Sequence, residues 1–559
     1  MSYHGKELTL TLKNRATVIH PKGGERFEDF IPENLRFSGQ FPLVGITMNN
    51  QTHSLMHRVD TNGELGMVYL NDRAGLNIYR QSLTFLTEMA FHNLYPKGDL
   101  VIDHSLGNGF YYHLEGENPQ SAEAIPRLRR EMERLVEENF PIDLSHLNYV
   151  ETMEMIKARG GAEKTLTLME GLNKPRIMIL NCDGYRTIFH GPLVPRTGLL
   201  TQWEIQEYDD GFLLRFPPSR TPLTMAPFKD EPKLFSIYQE HKKWGKILDV
   251  HCVGQLNALA MDRKKREHFI LTAETLHSQK MSDIAHDIHD RGKVKLVLVA
   301  GPSSSGKTTF TKRMAINLQT LGYNPVMVSL DDYYLPREQV PKDEEGEIDF
   351  EALEALDVPL LNQNLLDLFA GKEAEIPIFN FKKGGRQDKG RLLKLEENTL
   401  LIMEGIHGLN EKLTGKIPAE LKYKIYISAL TQLNLDDNNR ISTTDNRMIR
   451  RIVRDYQFRG YTAHTTIGMW PSVRRGEQKN IFPYQGEADV IFNSALDYEL
   501  GVLKGLAEPL LKSVKPTEEE YSEACRLLSF LNYFAPIPSE DIPKLSLLRE
   551  FVGNSGFRY

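Results

Sequence analysis

Cysteine is scarce in this chain. Cys182, Cys252 and Cys525 stand far apart and form no CxxC pair. That excludes a disulfide framework and a cysteine zinc cluster, and it suits a reducing cytoplasm. Long apolar runs are missing too. The longest charge-free stretch, 37–57, carries Ser38, Gly39, Gln40, Asn49, Asn50, Gln51 and Thr52, which makes it too polar to span a bilayer. The opening residues, MSYHGKELTL, hold no apolar core of a secretion signal. Basic charge is not in excess. Lys and Arg number 68 against 75 Asp and Glu, a net charge of −7, which argues against a general nucleic-acid coat. No internal repeat and no low-complexity tract occurs. A cytoplasmic protein without membrane contact is the expectation.

What is present is an ordinary folded composition: 40% apolar residues and 41 glycines in 559 residues. At about 150 residues per domain the length suits about three or four domains. Leu8, Leu10 and Leu12 alternate with polar residues, the period of a half-buried strand, and short β-like runs continue to about residue 70. A small α+β module is expected over 1–70. Over 71–230 a second α+β unit is expected. It has helices at 79–92 and 121–139, the latter with Ile125, Leu128, Met132, Leu135 and Val136 on one face. Strand-like runs broken by prolines follow at 176–230. Residues 231–292 read as a helical connector, with Lys264, Lys265 and Arg266 on a solvated face. His286 and His289 have the spacing of two metal ligands, but no Cys or third His lies near them, so no metal is read there.

From 293 the pattern changes. Apolar runs of strand length at 294–300, 324–330, 399–404, 423–428 and 488–493 alternate with helical segments. Strands buried on both faces and separated by helices predict an α/β, doubly wound parallel sheet over 293–515. A helical C-terminal extension over 516–559 completes the chain.

Gly301-Pro302-Ser303-Ser304-Ser305-Gly306-Lys307-Thr308 fits the P-loop pattern, GxxxxGK followed by Ser or Thr. A strand runs into it. A helix leaves it with Phe310, Met314, Leu318 and Leu321 on one side. Glycines let the backbone N–H groups curl around a phosphate at the positive end of that helix. Gly301, Ser303, Ser304, Ser305, Gly306, Lys307, Thr308 and Thr309 are the candidate nucleotide-binding residues. Lys307 is expected to reach the β- and γ-phosphates, and the Thr308 hydroxyl to bind Mg2+. No NKxD guanine-reading motif and no LSGGQ-like signature follows. Asp331, placed 24 residues after Lys307, sits where a doubly wound sheet opens onto the same crevice. A carboxylate there can take the proton of a hydroxyl that attacks the γ-phosphate. Glu404, at the end of the run LLIME, is a second magnesium-side acid. Arg447, Arg450, Arg451 and Arg454 share one helix side, and Arg459 follows. Arginine suits bidentate phosphate contact.

GPSSSGKTT, SLDDYY, IPIFNF at 376–381, MEGIHGL at 403–409 and TDNRMIRRIVRDYQFRG at 444–460 together resemble the uridine kinase and phosphoribulokinase family. The resemblance implies ATP and Mg2+ as cofactors and a nucleoside-like acceptor. It implies Asp331 as base, Lys307, Arg447 and Arg450 in catalysis, and Thr308 and Glu404 at the metal. Asp331, Tyr334, Glu354, Phe379, Arg447 and Arg459 are implied at the acceptor, with Glu354 on the ribose hydroxyls. Phe379 stands where the family has a tyrosine near the base, and Gly384 where a base-contacting histidine is expected. The front half resembles other proteins: 1–70 a TGS domain, and 71–230 the editing-type domain of threonyl-tRNA synthetase, through GNGFYYHLEG at 107–116 and FHGPLVPRTG at 189–198. The metal-binding positions of that domain fall on Gln81, Phe85, Phe189 and Leu193, none a good ligand. Two functions stay open at this point. One is a small-molecule kinase. The other is an RNA- or tRNA-binding protein that uses the P-loop as a nucleotide switch. Nucleic-acid contact through the front half and homo-oligomer formation are open as well.

Overall fold

A computed structural model describes residues 5–13, 17–115, 121–159, 162–342, 346, 348–380 and 384–558. Gly116 and Phe381, the last residues of two of the motifs above, lie outside them. Among the described residues no helix is long and apolar enough to cross a membrane.

The front half is built on three sheets. Leu10–Leu12 runs parallel to Gly63–Tyr69, which pairs antiparallel with Phe41–Met48. The alternation is as expected, with Leu8, Leu10 and Leu12 buried and Thr9 and Thr11 exposed. A four-stranded antiparallel sheet follows, in the order Glu204–Tyr208, Gly211–Arg215, Gly109–Glu115, Asp99–Ser105. Arg73–Leu94, longer than its expected span, and Ser121–Glu138 are its helices. Leu83, Leu86 and Met89 of the first and Leu128, Met132 and Leu135 of the second close over Ile102, Tyr112, Phe212 and Leu214. Asp143–Asn148, Arg176–Cys182 and Tyr185–Ile188 form the third sheet.

The connector is three helices, Pro232–Leu248, Val253–Ala260 and Arg263–Asp290. Asp262 caps the last by accepting from the backbone N–H groups of Lys264 and Lys265. Lys264 and Lys265 are exposed, whereas Arg266 is not on the solvated face expected for it. Its Nε donates to Asp541 at 2.6 Å and its Nη1 to the Ala260 carbonyl at 2.6 Å, so it ties down the C-terminal region.

The second half holds five parallel strands: β1 (Leu296–Ala300), β2 (Asn324–Ser329), β3 (Thr399–Glu404), β4 (Lys422–Ser428) and β5 (Val490–Asn493), in the order β2–β3–β1–β4–β5. Each lies within a few residues of its apolar run. On one face Val297 and Val299 pack with Phe310 and Met314 of the P-loop helix, Lys307–Thr320, and with Met281, Ile284 and Ile288 of the connector. On the other, Leu296 and Leu298 meet Leu330, Leu361 and Leu365. Each such buried side chain contributes about 1.5–3 kcal/mol. The register sets Val299 beside Glu404 and Ser329 beside Glu404, so β1, β2 and β3 end level with one another.

Between β4 and the helix Thr443–Arg459 the chain makes an excursion, 429–442, into the front half. Asn434 donates to the Ile102 carbonyl, and the Ile102 N–H donates to Asp437 O at 3.2 Å. Asn438 Nδ2 donates to Glu88 Oε1 at 2.8 Å, and His190 Nε2 lies 3.2 Å from Asp436 Oδ2. The excursion thus ties the front half to the helix that carries the arginines.

Candidate active site

The loop after β1 is forced into its shape. A Cβ on Gly301 would lie 2.0 Å from the Ile427 carbonyl oxygen of β4. Gly306, at φ +88°, turns the backbone into the helix through a region that side chains disfavour. Ser304 is also left-handed, at φ +61°. Lys307 Nζ folds back onto Gly301 O at 2.9 Å and Pro302 O at 3.2 Å. Burial pulls its ammonium below the ordinary lysine range, against Glu404, Glu550 and Asp331, which raise it.

The level strand ends bring Glu404 and Asp331 to this loop. Thr308 Oγ1 donates to Glu404 Oε1 at 3.0 Å. Burial, with the like charges of Glu550 and Asp331, pushes the Glu404 carboxyl up to about 7, with Lys307 opposing. Asp331 does not lie on a strand. β2 ends at Ser329, whose hydroxyl caps a 3₁₀ turn, Leu330–Tyr333, by accepting from the Asp331 N–H at 3.2 Å. That turn separates the two acids. Asp331 is raised by burial and feels Lys307 and Arg459. Asp332 Oδ1 instead accepts from the Phe379 N–H at 3.3 Å and feels Arg391. Tyr334 and Phe379 lie ring to ring at 5.7 Å beside this turn, and the Tyr334 hydroxyl donates to Phe350 O at 3.0 Å. Gly384, at φ +67°, accepts from the Arg337 N–H through its carbonyl.

Two sequence expectations need correction. Glu354 is exposed and does not join Lys307 and Asp331. Glu351, three residues earlier, does. Burial raises its carboxyl, Arg451 and Lys307 lower it, and Asp331 and Asp349 raise it. Glu354 sits within the turn Leu353–Ala355, which Glu351 precedes, and its side chain is exposed. Arg447 and Arg450 are not open to a ligand as expected. They are 1% and 0% exposed, so they act on the loop from behind. Arg447 pairs with Glu477 and donates from Nε to Ser303 O at 3.0 Å. Arg450 pairs with Glu499, at 3.0 Å from Nε, and donates to Ser304 O at 3.3 Å. Arg451 donates to Ser303 Oγ at 2.8 Å. Arg459, half exposed, lies 3.6 Å from Asp455 and within electrostatic reach of Asp331.

Several site residues carried no sequence signal. Glu477, 1% exposed, also accepts from the Ser303 N–H at 3.2 Å and from Arg474 at 3.1 Å. Ser494, after β5, donates to Ser305 O at 2.5 Å. Both lie far along the chain from the loop they brace. Only the first acid of FEALEALD, Glu351, had a motif near enough to find it.

The donor set fits the group the sequence points to. Hydroxyl and carboxylate oxygens on Thr308 and Glu404 suit a hard divalent cation. The Ser304 and Ser305 hydroxyls are buried at the loop without a partner in the protein.

The profile of the phosphoribulokinase/uridine kinase family matches residues 296–500. A uridine kinase of Macrococcus caseolyticus is 30% identical over 200 residues, which is 36% of this chain and 87% of that protein. A threonine–tRNA ligase of Desulfovibrio desulfuricans is 32% identical over 131 residues, 23% of this chain and 20% of the ligase; that likeness belongs to the front half. A solved D-glycerate 3-kinase of Cryptococcus neoformans matches at 16% identity over 45% of this chain and 87% of that one, with a TM-score of 0.23. With its P-loop at the head of a parallel five-stranded sheet, the chain belongs, through residues 296–500, to the phosphoribulokinase/uridine kinase family of phosphotransferases.

Proposed function

We propose that this protein is an ATP- and Mg2+-dependent kinase that transfers the γ-phosphate to a hydroxyl of a nucleoside or nucleoside-like small molecule. The observation that carries this reading is the meeting of Asp331 with Lys307 and Glu404 where β2, β1 and β3 end level. The loop N–H groups and Lys307 hold the phosphates, and Thr308 and Glu404 hold the metal. Mg2+ supplies neutralisation of phosphate charge as the bond to the γ-phosphate breaks. Asp331, made more basic by burial, takes the proton of the acceptor hydroxyl. Glu351 takes the place expected of Glu354 on the acceptor's other hydroxyls. Arg459 faces the transferring end. Arg447 and Arg450 are positioning residues that fix the loop carbonyls, with Glu477 and Glu499 neutralising them.

Tyr334 and Phe379 wall the acceptor side. Phe379 lacks a hydroxyl and Gly384 lacks a ring donor, so base choice is weak: a pocket built on hydrogen bonds discriminates strongly and an apolar one does not. The front half, a TGS-like unit over 1–70 and an editing-like unit over 71–230, is a cytoplasmic assembly or regulatory module without hydrolytic chemistry. The connector 231–292 leads to the kinase unit, 293–515, and its extension, 516–559.

The test is ADP release and phosphorylated product across a panel of nucleosides and sugar alcohols. Acceptor-dependent ADP release supports the kinase, with purine and pyrimidine nucleosides within about tenfold of each other. ATP turnover that ignores the acceptors and rises with tRNA would establish the nucleotide switch instead.

A further inference from the structure

The C-terminal segment returns to the phosphate loop, and the kinase reading gives it no task. Leu547 is buried with Phe310 and Met314 of the P-loop helix. Phe551, fully buried, lies under the Arg450 guanidinium at 4.9 Å. Arg549 holds the segment to itself by donating to Ser539 O at 3.0 Å and Ile542 O at 2.5 Å. This anchored piece, Arg549–Val552, presents Glu550 to the first turn of the P-loop helix. Glu550 Oε2 accepts from the Thr309 N–H at 3.0 Å and from Thr309 Oγ1 at 2.8 Å. One turn on, Lys312 donates to the Arg558 carbonyl.

The N–H groups of a helix's first turn have no partner within the helix itself, and an anion takes them. A carboxylate on them makes charge-assisted hydrogen bonds, as a phosphate oxygen does. Glu550 also acts on Lys307, as Glu404 and Asp331 do. Among the described residues no group of three or more His, Cys, Asp or Glu side chains is placed to hold a metal ion. A phosphate seated at Thr309 meets the Glu550 carboxylate head on.

We propose that Glu550 is a built-in anion that fills a phosphate position of the P-loop and leaves Thr309 when nucleotide binds, so that the C-terminal segment sets nucleotide affinity. The proposal rests on the reading of this loop as the nucleotide site. Only the side chain has to move, because Leu548, Phe551 and Val552 keep the backbone buried. Lys312 feels the Glu550 charge and is a cation able to receive it. In the ligand-free protein Glu550 satisfies the Thr309 donor and offsets the Lys307 charge. On binding, nucleotide phosphate does both.

The test uses the full chain. Glu550→Gln keeps the shape and removes the charge, and Glu550→Ala removes the contact. MgATP and inorganic tripolyphosphate, a probe without a base, are titrated by calorimetry. Both variants are expected to bind each probe about tenfold tighter than wild type, about 1.4 kcal/mol. Ligand-free Glu550→Ala is expected to melt a few degrees lower, with a larger rise on adding MgATP. Unchanged or weaker binding of both probes by both variants overturns the proposal. Lys307→Ala in the same titration separates the two claims. If it loses binding while the Glu550 variants match wild type, only the displaced anion is wrong. If it binds MgATP like wild type, the loop is not the nucleotide site and both claims fall.

Discussion

The two halves of this chain treat their inherited sites in opposite ways. In the front half Gln81, Phe85, Phe189 and Leu193, the residues expected at the metal-binding positions of a synthetase-like domain, lie in or beside the apolar core. Phe85 and Leu193 are buried in the main cluster with Phe189 packed against it, and Gln81 lies against Gly191. In the second half Lys307, Asp331, Glu351 and Glu404 remain ionisable groups in a buried setting, every one displaced from its ordinary pKa. Buried charge is costly unless it is paired or has a ligand to meet. On the proposed reading, its retention in one half and its removal from the other separate a working site from a scaffold. Some of the front half's charge meets the kinase half. Glu88 accepts from Arg159 at 2.8 Å and from Asn438, and Lys164 lies 3.2 Å from Asp437.

The comparison breaks most sharply at Asp331. Asp331→Asn is expected to lower kcat by about 10²–10⁴ while MgATP binding persists, since Lys307, Thr308 and Glu404 remain. Asp332→Asn, at a side chain turned to the Phe379 backbone, is expected to be far milder; steady-state kinetics of the pair decides. In the front half the effect should fall on stability instead. Phe85→Ala removes a ring that sits 5.9 Å from Tyr185 and is expected to cost about 3–5 kcal/mol in denaturant unfolding. Turnover of its folded fraction should stay within about twofold, and a loss as large as that at Asp331 would show that the front half takes part in the chemistry.

The joint between the halves lies between these extremes. Glu88→Ala leaves the Arg159 guanidinium without its carboxylate and is expected to cost about 3 kcal/mol, read as a lower melting temperature of the whole chain. The smallest effect concerns pH. Burial and the nearby Asp436 push Asp437 up to about 6, against Lys164. A carboxyl raised in the folded state binds its proton more tightly there than in the unfolded chain. Its contribution is therefore present in acid and lost as pH rises from about 4 to about 6. Over that window stability should fall with a slope of at most about 1.4 kcal/mol per pH unit, and Asp437→Asn should flatten it. Melting curves at several pH values check this, and an unchanged slope assigns it to other groups.

Much of this was legible because it is local. A strand buried on both faces must be an apolar run, so β1, β3 and β4 were readable to within a few residues, and the edge strand β2, though half exposed, still carried enough apolar residues to be found. The P-loop is a contiguous motif, and Asp331 and Glu404 stand at strand ends that the sheet type aligns. The rest was hidden by distance. Glu477, Glu499 and Glu550 look like ordinary helix acids, and nothing near them in sequence says that they face Ser303, Arg450 and Thr309. Arg447 and Arg450 share one helix side, and that spacing is equally compatible with a ligand-facing stripe and with a buried brace. Glu351 and Glu354 are three residues apart, and the fold, which sets Glu354 in the turn Leu353–Ala355, leaves Glu351 to enter the site.

By itself, then, the chain's sequence determined the parallel sheet, the anion-binding loop at its head, and the absence of metal ligands at four positions of the front half. These follow from side-chain chemistry and short-range periodicity, which act within a few residues of one another. Only the tertiary structure decided which charges are buried, which acid faces Lys307, and that the last turn of the chain lays a carboxylate on the phosphate loop. Those outcomes depend on groups up to 241 residues apart sharing a low-dielectric interior, where the field of each fixes the state of the others.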